Sequence, residues 1–354
     1  MYTHDYIIIG QGIAGSAIVQ RLIESNTSFF VIDAQDNNQA SRIASGIWNP
    51  VTLKRMKKSW LADEMLEELL PFYDNAQSLF GDKFIENIKV NRLFASADET
   101  NEWVEISDRP KFEGLINPSI FPNKNSSIKS PFGFGEVEKS GRIITETWID
   151  AVKKWLLKNN LLLEQQFNFE NLTINQNSVE YLDIKSRGII FCEGMHAAFN
   201  NPYFKHIPFL ITKGEVLEIE CPDLNLNKII NSGVFILPLG NNRYKVGATY
   251  DWDSFELEPT QSATDELTEK LKKFLNAPFT IVNQSVGIRP TIKDRRPLLG
   301  THPKHKSIHI FNGMGSRGVF MVPYLSKMFV DFLLRAKPMH KEADIARFNK
   351  LFEN

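Results

Sequence analysis

Apolar positions in this chain come in two textures. In the first they run together: Tyr6–Ile9 is unbroken and ends at Gly10, Phe29–Ile32 ends at Asp33, and Ile189–Cys192 leads through Glu193 to Gly194. Strands buried on both faces of a parallel sheet read this way. Between the first two runs, Ile13, Ala14, Ala17, Ile18, Leu22 and Ile23 recur at helical spacing, which predicts one strand–helix–strand unit. In the second texture, between 207 and 250, "EVLEIE", "VFILPLG" and "RYKVGATY" alternate, as antiparallel strands do with a core on one side.

Helical spacing returns at Leu61, Met65, Leu66, Leu69 and Leu70, again at Trp148, Ile149, Val152, Trp155 and Leu156, and over about 263–275. Strand-like "VNRLFAS" (90–96) and a Pro/Asn/Ser-rich span at 117–131 lie between the first two. The polar segment 36–41 reads as a loop. The last strand, Ser307–Phe311, returns to the continuous texture. Continuous runs thus mark the start, middle and end of the chain, with alternating strands inserted between them. The expected class is α/β (α+β overall), a Rossmann-like nucleotide-binding domain interrupted by a mostly antiparallel β-sheet domain with helices. Its discontinuous parts fall at 1–85, 141–205 and 284–354, and the inserted substrate domain at 86–140 and 206–283.

With 354 residues the chain can bury a large core, and its formal charge of -1 leaves no overall positive field for tight non-specific nucleic-acid binding. A local basic patch survives that average, and "KRMKK" (54–58) reads either as a phosphate- or RNA-binding run or as a solvated face. The two cysteines, Cys192 and Cys221, have neither CxxC nor metal-ligand spacing, so no disulfide scaffold is expected. The first strand begins by about residue 5, which leaves no room for a signal peptide before it, and Val319–Leu334 carries Lys327 and Asp331 and is short for a bilayer. The expected location is cytoplasmic. His302, His305 and His309 lack metal-ligand spacing, so no metal site is expected, and no GxSxG elbow or Ser/His/Asp set occurs.

Gly10-Gln-Gly12-Ile-Ala-Gly15 matches GxGxxG. The first glycine permits the tight turn, the second close approach to a pyrophosphate, and the third helix–strand packing. Ile13 and Ala14 open the helix whose free N–H groups would face the phosphates. Asp33 ends the second strand, where a carboxylate accepts hydrogen bonds from ribose hydroxyls and disfavours a 2′-phosphate, and Ala34 follows it. Dinucleotide binding is the expectation, against an unliganded turn of the same shape. The motif alone does not separate NAD from FAD.

Five stretches carry a resemblance: "YIIIGQGIAGS" at the head, "IIFCEG" (189–194), "FILPLGNNRYKVGATY" (235–250), "GIRPTIKDRRPLLG" (287–300) and the glycine turn after 311. In this order they resemble the D-amino-acid oxidase-like family of FAD-dependent oxidoreductases, which includes glycine oxidase and sarcosine oxidase. "GMGSRG…P" (313–323) and "ASGIWNP" (44–50) are further similar to the FAD-dependent domain of the bifunctional enzyme that makes 5-methylaminomethyl-2-thiouridine in tRNA. There the domain oxidatively removes a carboxymethyl group from an amine; the accompanying methyltransferase domain is not expected in this sequence.

The resemblance implies FAD, with Ser45 and Gly46 beside the flavin ring, Gly194 at the mid-chain strand end, and Gly313, Gly315, Ser316, Arg317 and Gly318 gripping the ring end of the cofactor. It implies Arg289 of "GIRP" as the partner of a substrate carboxylate. The plain alternative is an arginine held by a carboxylate such as Asp294. Arg317 would touch substrate or flavin, or else cap its turn, and Tyr250 would face the cavity or be a buried aromatic at a strand end. No cysteine lies in 287–300, where sarcosine oxidases tether flavin, so non-covalent FAD is expected, with a histidine link left open. The implied reaction is hydride transfer to flavin N5 from the C–H beside the nitrogen of a small amine or amino acid, of N-substituted glycine or D-amino-acid type. Oxygen or another acceptor would reoxidise the flavin. The alternatives are removal of a carboxymethyl group from a modified tRNA uridine and, from another class, a non-catalytic flavin-binding sensor or partner-binding protein.

Overall fold

The structure is a computed structural model and describes residues 3–34 and 40–353. The chain opens with β1 (His4–Ile9), α1 (Ile13–Glu24) and β2 (Phe29–Asp33). Helices α2 (Ala62–Phe80) and α3 (Thr145–Lys158) come next, before strand β3 (Ile184–Phe191). Then follow β4 (Thr212–Glu220), β5 (Arg243–Gly247), α4 (Gln261–Lys272) and β6 (Thr280–Arg289), and last β7 (Ile308–Asn312) and α5 (Gly318–Arg335).

The continuous runs make the first sheet. β1 lies between β2 and β3, parallel to both, with Ile9 opposite Ile32 on one side and Phe191 on the other. β7 pairs parallel with β3. Both faces of β1 are covered, so Ile7, Ile8 and Ile9 are buried without alternation. α1, α2, α3 and α5 share one core with the face of β1 that carries Tyr6 and Ile8. Of the polar loop expected at 36–41, residues 36–39 lie outside the described residues, while Ala40–Ile43 form a single helical turn.

The second sheet runs β6, β4, β5, Val234–Gly240, Ile229–Ser232, Val90–Leu93, Phe134–Val137. Its pairs are antiparallel except Ile229–Ser232 with Val90–Leu93. β4 is buried at nearly every position, not on one side only. Leu217 and Ile219 meet α4 through Leu267 and Leu271, whereas Gly214 and Val216 point into a cavity between the sheets. β6 pairs with β4, across a shift of register at Glu218–Ile219, as far as Thr212 opposite Arg289. The chain leaves the second sheet after Arg289, so "GIR" closes its last strand.

Candidate functional site

The turn after β1 is built by backbone contacts that exclude side chains. Gly10 has φ +93°, and a Cβ on Gly15 would lie 1.9 Å from the Gly10 carbonyl oxygen. That contact brings α1 onto the strand end. Gly10 N–H donates to the Ile32 carbonyl at 2.9 Å and Gln11 N–H to Asp33 Oδ1 at 2.8 Å, so the second strand braces the turn. At the start of α1, Ser41 Oγ accepts from Ile13 N–H at 3.1 Å. The N–H groups of Gly12 and Ala14 have no acceptor among the described residues and line the cavity, as do Asp33 and Ala34. Gly15 itself does not reach the cavity; its place is filled by the Gly10 carbonyl.

The second glycine turn follows β7. Asn312 Nδ2 donates to the Gly194 carbonyl at 2.9 Å, its Oδ1 accepts from Gly313 N–H, and Gly315 N–H reaches the Pro290 carbonyl at 3.0 Å. Gly315, Ser316, Arg317 and Gly318 line the same cavity as the first turn, together with Gly194, Ser45 and Gly46. Gly313 does not. A Cβ there would meet Ile292 and the Leu298 backbone at 3.0 Å, so its φ of +78° and missing side chain let the turn pack closely. α5 begins beside α1, with Gly318 against Ile13. Pro323 in α5 cannot donate to the Val319 carbonyl, and Tyr73 OH donates to it instead at 2.8 Å. The start of α5 is fixed by that bond.

One cavity of about 780 Å³ joins the two turns and extends to Tyr250, Arg289 and Arg317. Its volume lies within the ~300–1,000 Å³ of small-molecule sites. Arg289 Nη1 donates to the Thr249 carbonyl at 3.2 Å, and the guanidinium carbon stands 4.5 Å from the Tyr250 ring centroid. Asp294 is not its partner: that carboxylate pairs with Arg347 at 2.8 Å. Arg317 donates to Ser59 Oγ and, at 2.8 Å, to Thr52 Oγ1. Burial pulls both guanidiniums below the usual arginine value, opposed only by the Tyr250 phenol. Tyr250 is 53% exposed, so it stands at the mouth of the cavity and is not a buried strand-end aromatic.

Thr52 ends the first strand of a hairpin formed by Val51–Thr52 and Lys57–Lys58, Ser59 follows the second, and "KRMKK" makes its turn and second strand. Lys58 pairs with Asp63, while Lys54, Arg55 and Lys57 are exposed and unpaired among the described residues. The two hydroxyls leave no trace in the sequence, since Ser59 is 258 residues from Arg317. Glu193 has a signal in the sequence, an acid closing an apolar run just as Asp33 does. Its side chain lines the cavity and accepts from Asn201 Nδ2 at 2.7 Å; burial raises its carboxyl to about 7 against that bond. Cys192 lies beside it, its thiol pushed well above the usual value by burial and by Glu193. Among the described residues no cluster of His, Cys, Asp and Glu suits a metal, and no helix is long and apolar enough to cross a membrane.

Residues 5–332 match the family described as FAD dependent oxidoreductase. The chain is 22% identical to the glycine oxidase of Bacillus subtilis (strain 168), over 94% of this chain and 93% of that one. It is 24% identical over 84% of its length to a tRNA 5-methylaminomethyl-2-thiouridine biosynthesis bifunctional protein of Legionella pneumophila (strain Corby), of which it spans 45%. In fold it is similar to the crystal structure of glycine oxidase from Bacillus cereus ATCC 14579, with a TM-score of 0.79 at 19% identity, covering 96% of this chain and 97% of that one.

Proposed function

We propose that this chain, which belongs to the family of FAD dependent oxidoreductases, oxidises the C–N bond of a small amine or amino acid of the N-substituted glycine or D-amino-acid type. The observation that carries this reading is the single cavity. At one end it has unsatisfied helix N–H groups on a glycine turn, and at the other two guanidiniums with no carboxylate partner among the described residues.

The residues present fit FAD. Gly12 and Ala14 would offer N–H groups to the pyrophosphate, favoured by the positive end of α1. Gly315 to Gly318, at the start of α5, would hold the ring end. Cys192, kept protonated by burial, is a poor nucleophile, which supports non-covalent binding. Bound there, FAD supplies a two-electron acceptor for hydride leaving the carbon beside the amine nitrogen.

The protein's part is binding and orientation. Arg289 takes the substrate carboxylate, and its place is set by the Thr249 carbonyl and the Tyr250 ring. Two guanidiniums in one partly buried site disfavour a protonated amine, so the nitrogen is held neutral with its lone pair available as hydride departs. The positive end of α5 favours negative charge growing at that end of the cavity. The resulting imine hydrolyses to carbonyl and amine in water, and oxygen or another acceptor takes up the electrons.

An anaerobic screen of glycine, N-methylglycine, D-amino acids and proline-like imino acids tests this by bleaching of the flavin absorbance. Flavin that stays oxidised with all of them would refute it. A second reading, oxidation of a carboxymethylaminomethyl group on tRNA, is supported by the unpaired Lys54, Arg55 and Lys57 on the hairpin that holds Arg317. It predicts that disrupting the gene makes the carboxymethylated nucleoside accumulate, and unchanged tRNA nucleosides would refute it.

A further inference from the structure

Among the described residues, every arginine that is partly buried is paired with a carboxylate, with two exceptions. Arg142 pairs with Glu86 at 2.9 Å, Arg21 with Glu24 and Glu68, Arg92 with Glu99, and Arg42 with Asp150. The remaining arginines that are not exposed, Arg243, Arg296 and Arg347, likewise have carboxylates. Even Lys213, 1% exposed, has Glu215. Among the described residues Arg289 and Arg317 are the only arginines that are partly buried and lack a carboxylate, and both line the same cavity.

Each is held by neutral acceptors that leave most of its donors open. A guanidinium has five N–H groups; Arg289 spends one on the Thr249 carbonyl, and Arg317 donates to two hydroxyls. Neutral acceptors fix a guanidinium in place without cancelling its charge. Leaving a buried charge uncompensated is unfavourable, and a ligand that supplies the missing anion recovers that free energy on binding. One carboxylate leaves one of the two guanidiniums without an anion, and two match both.

Resting on the proposed amine oxidation at this site, we infer that its substrate carries two carboxylates, one for Arg289 and one for Arg317: a dicarboxylic secondary amine or amino acid. The guanidiniums approach the cavity from different elements, Arg289 from the end of β6 and Arg317 from the start of α5. The amine and its oxidisable C–H are then held between two anchors.

The test is equilibrium binding to the flavin-loaded protein, followed by the flavin absorption spectrum. Its ligands are diglycolate, with two carboxylates across an ether, and methoxyacetate, with one; neither has an amine to oxidise. Diglycolate should bind at least about ten-fold tighter, a difference of roughly 1.4 kcal/mol. Arg317→Met should bring the two within about three-fold by weakening diglycolate alone, and Arg317→Lys should restore part of the preference. Equal dissociation constants in the unaltered protein would overturn the inference, because one carboxylate would then be bridging both guanidiniums. So would a preference untouched by Arg317→Met, or a loss in that variant of flavin affinity alone. In the anaerobic screen, N-(carboxymethyl)glycine should bleach flavin at lower concentration than N-methylglycine. If N-methylglycine bleaches while diglycolate shows no preference, the dicarboxylate inference alone falls. If diglycolate is preferred and no amine bleaches, the amine-oxidation reading falls while the two-anion site stands.

Discussion

Substituting Glu215 by Gln puts the architecture behind Tyr250 under direct test. Lys213 and Glu215 lie two apart on β4, both almost fully buried, with Nζ 3.5 Å from Oε1. Glu215 also accepts from Thr260 Oγ1 at 2.8 Å, Thr260 N–H at 3.0 Å and Gln284 Nε2 at 2.7 Å. Glu215 N–H in turn donates to Thr249 Oγ1 at 2.9 Å. The network therefore clamps both ends of the 249–260 segment that carries Tyr250 to the sheet. An amide of the same shape keeps one acceptor oxygen and turns the other position into a donor facing donors. It also leaves the Lys213 ammonium with the Glu258 carbonyl as its remaining acceptor in the described residues. At an effective dielectric of 20, two unit charges separated as these are attract by roughly 5 kcal/mol. Removing one partner of such a pair costs about 3–5 kcal/mol.

Urea unfolding followed by tryptophan fluorescence should therefore show Glu215→Gln less stable by about 3–5 kcal/mol. The double variant with Lys213→Met should regain a large part of that loss, since no bare ammonium remains buried. In steady-state assays the surviving folded protein should show a raised KM. A loss below about 1 kcal/mol, or a double variant destabilised by the sum of the single ones, would refute the account of a coupled buried pair.

Gly15→Ala places a methyl 1.9 Å from the Gly10 carbonyl; α1 must shift, costing about 1–3 kcal/mol, and the purified protein should carry little flavin by absorbance, whereas undiminished flavin content would refute the close-approach argument. Arg289→Ala should weaken carboxylate substrates far more than neutral amines in flavin-bleaching titrations, and equal effects would remove Arg289 from the substrate. His309 is fully enclosed and burial lowers it from 6.5 to about 3. Its neutral form is favoured on folding, so the contribution is whole above about pH 6.5 and is lost as pH falls towards 3. His309→Gln should flatten the stability curve between pH 6 and 4 by about 1.4 kcal/mol per pH unit, and a slope unchanged in urea titrations would count against it. Glu193 works in the opposite direction, because a carboxyl raised to about 7 loses stability as pH rises from its ordinary range through 7. Glu193→Gln should therefore stabilise the flavin-free protein at pH 8 and do little at pH 4.5, as read by thermal unfolding.

What the sequence made legible was whatever the backbone demands locally. A strand buried on both sides needs an unbroken apolar run, and a helix pressed onto its end needs Gly15, so the first turn could be read residue by residue. β4 was read less well, because alternation shows that one face is apolar and is silent on whether a cavity covers the other. Arg289 was found within a motif, yet its neighbour in sequence, Asp294, proved to belong to Arg347. Glycine in a turn signals absent volume without saying what fills it; at Gly313 a side chain would run into Ile292 and Leu298. Ser41, Thr52 and Ser59 are ordinary hydroxyls whose importance comes from chain segments far away, and no local pattern encodes them.

The cavity is walled by both sheets: Ile9, Ile32 and Asp33 belong to the first, Gly214, Val216 and Gly247 to the second. A cofactor filling it becomes the packing partner that each sheet lacks on that side, and its binding free energy acts as an interface energy between them. By linkage, ligand at a hundred times its dissociation constant contributes about 2.7 kcal/mol to the folded state. That contribution falls on the joint between the sheets, not on either core. Whether the two halves of this protein melt together or apart is therefore set by occupancy as much as by sequence.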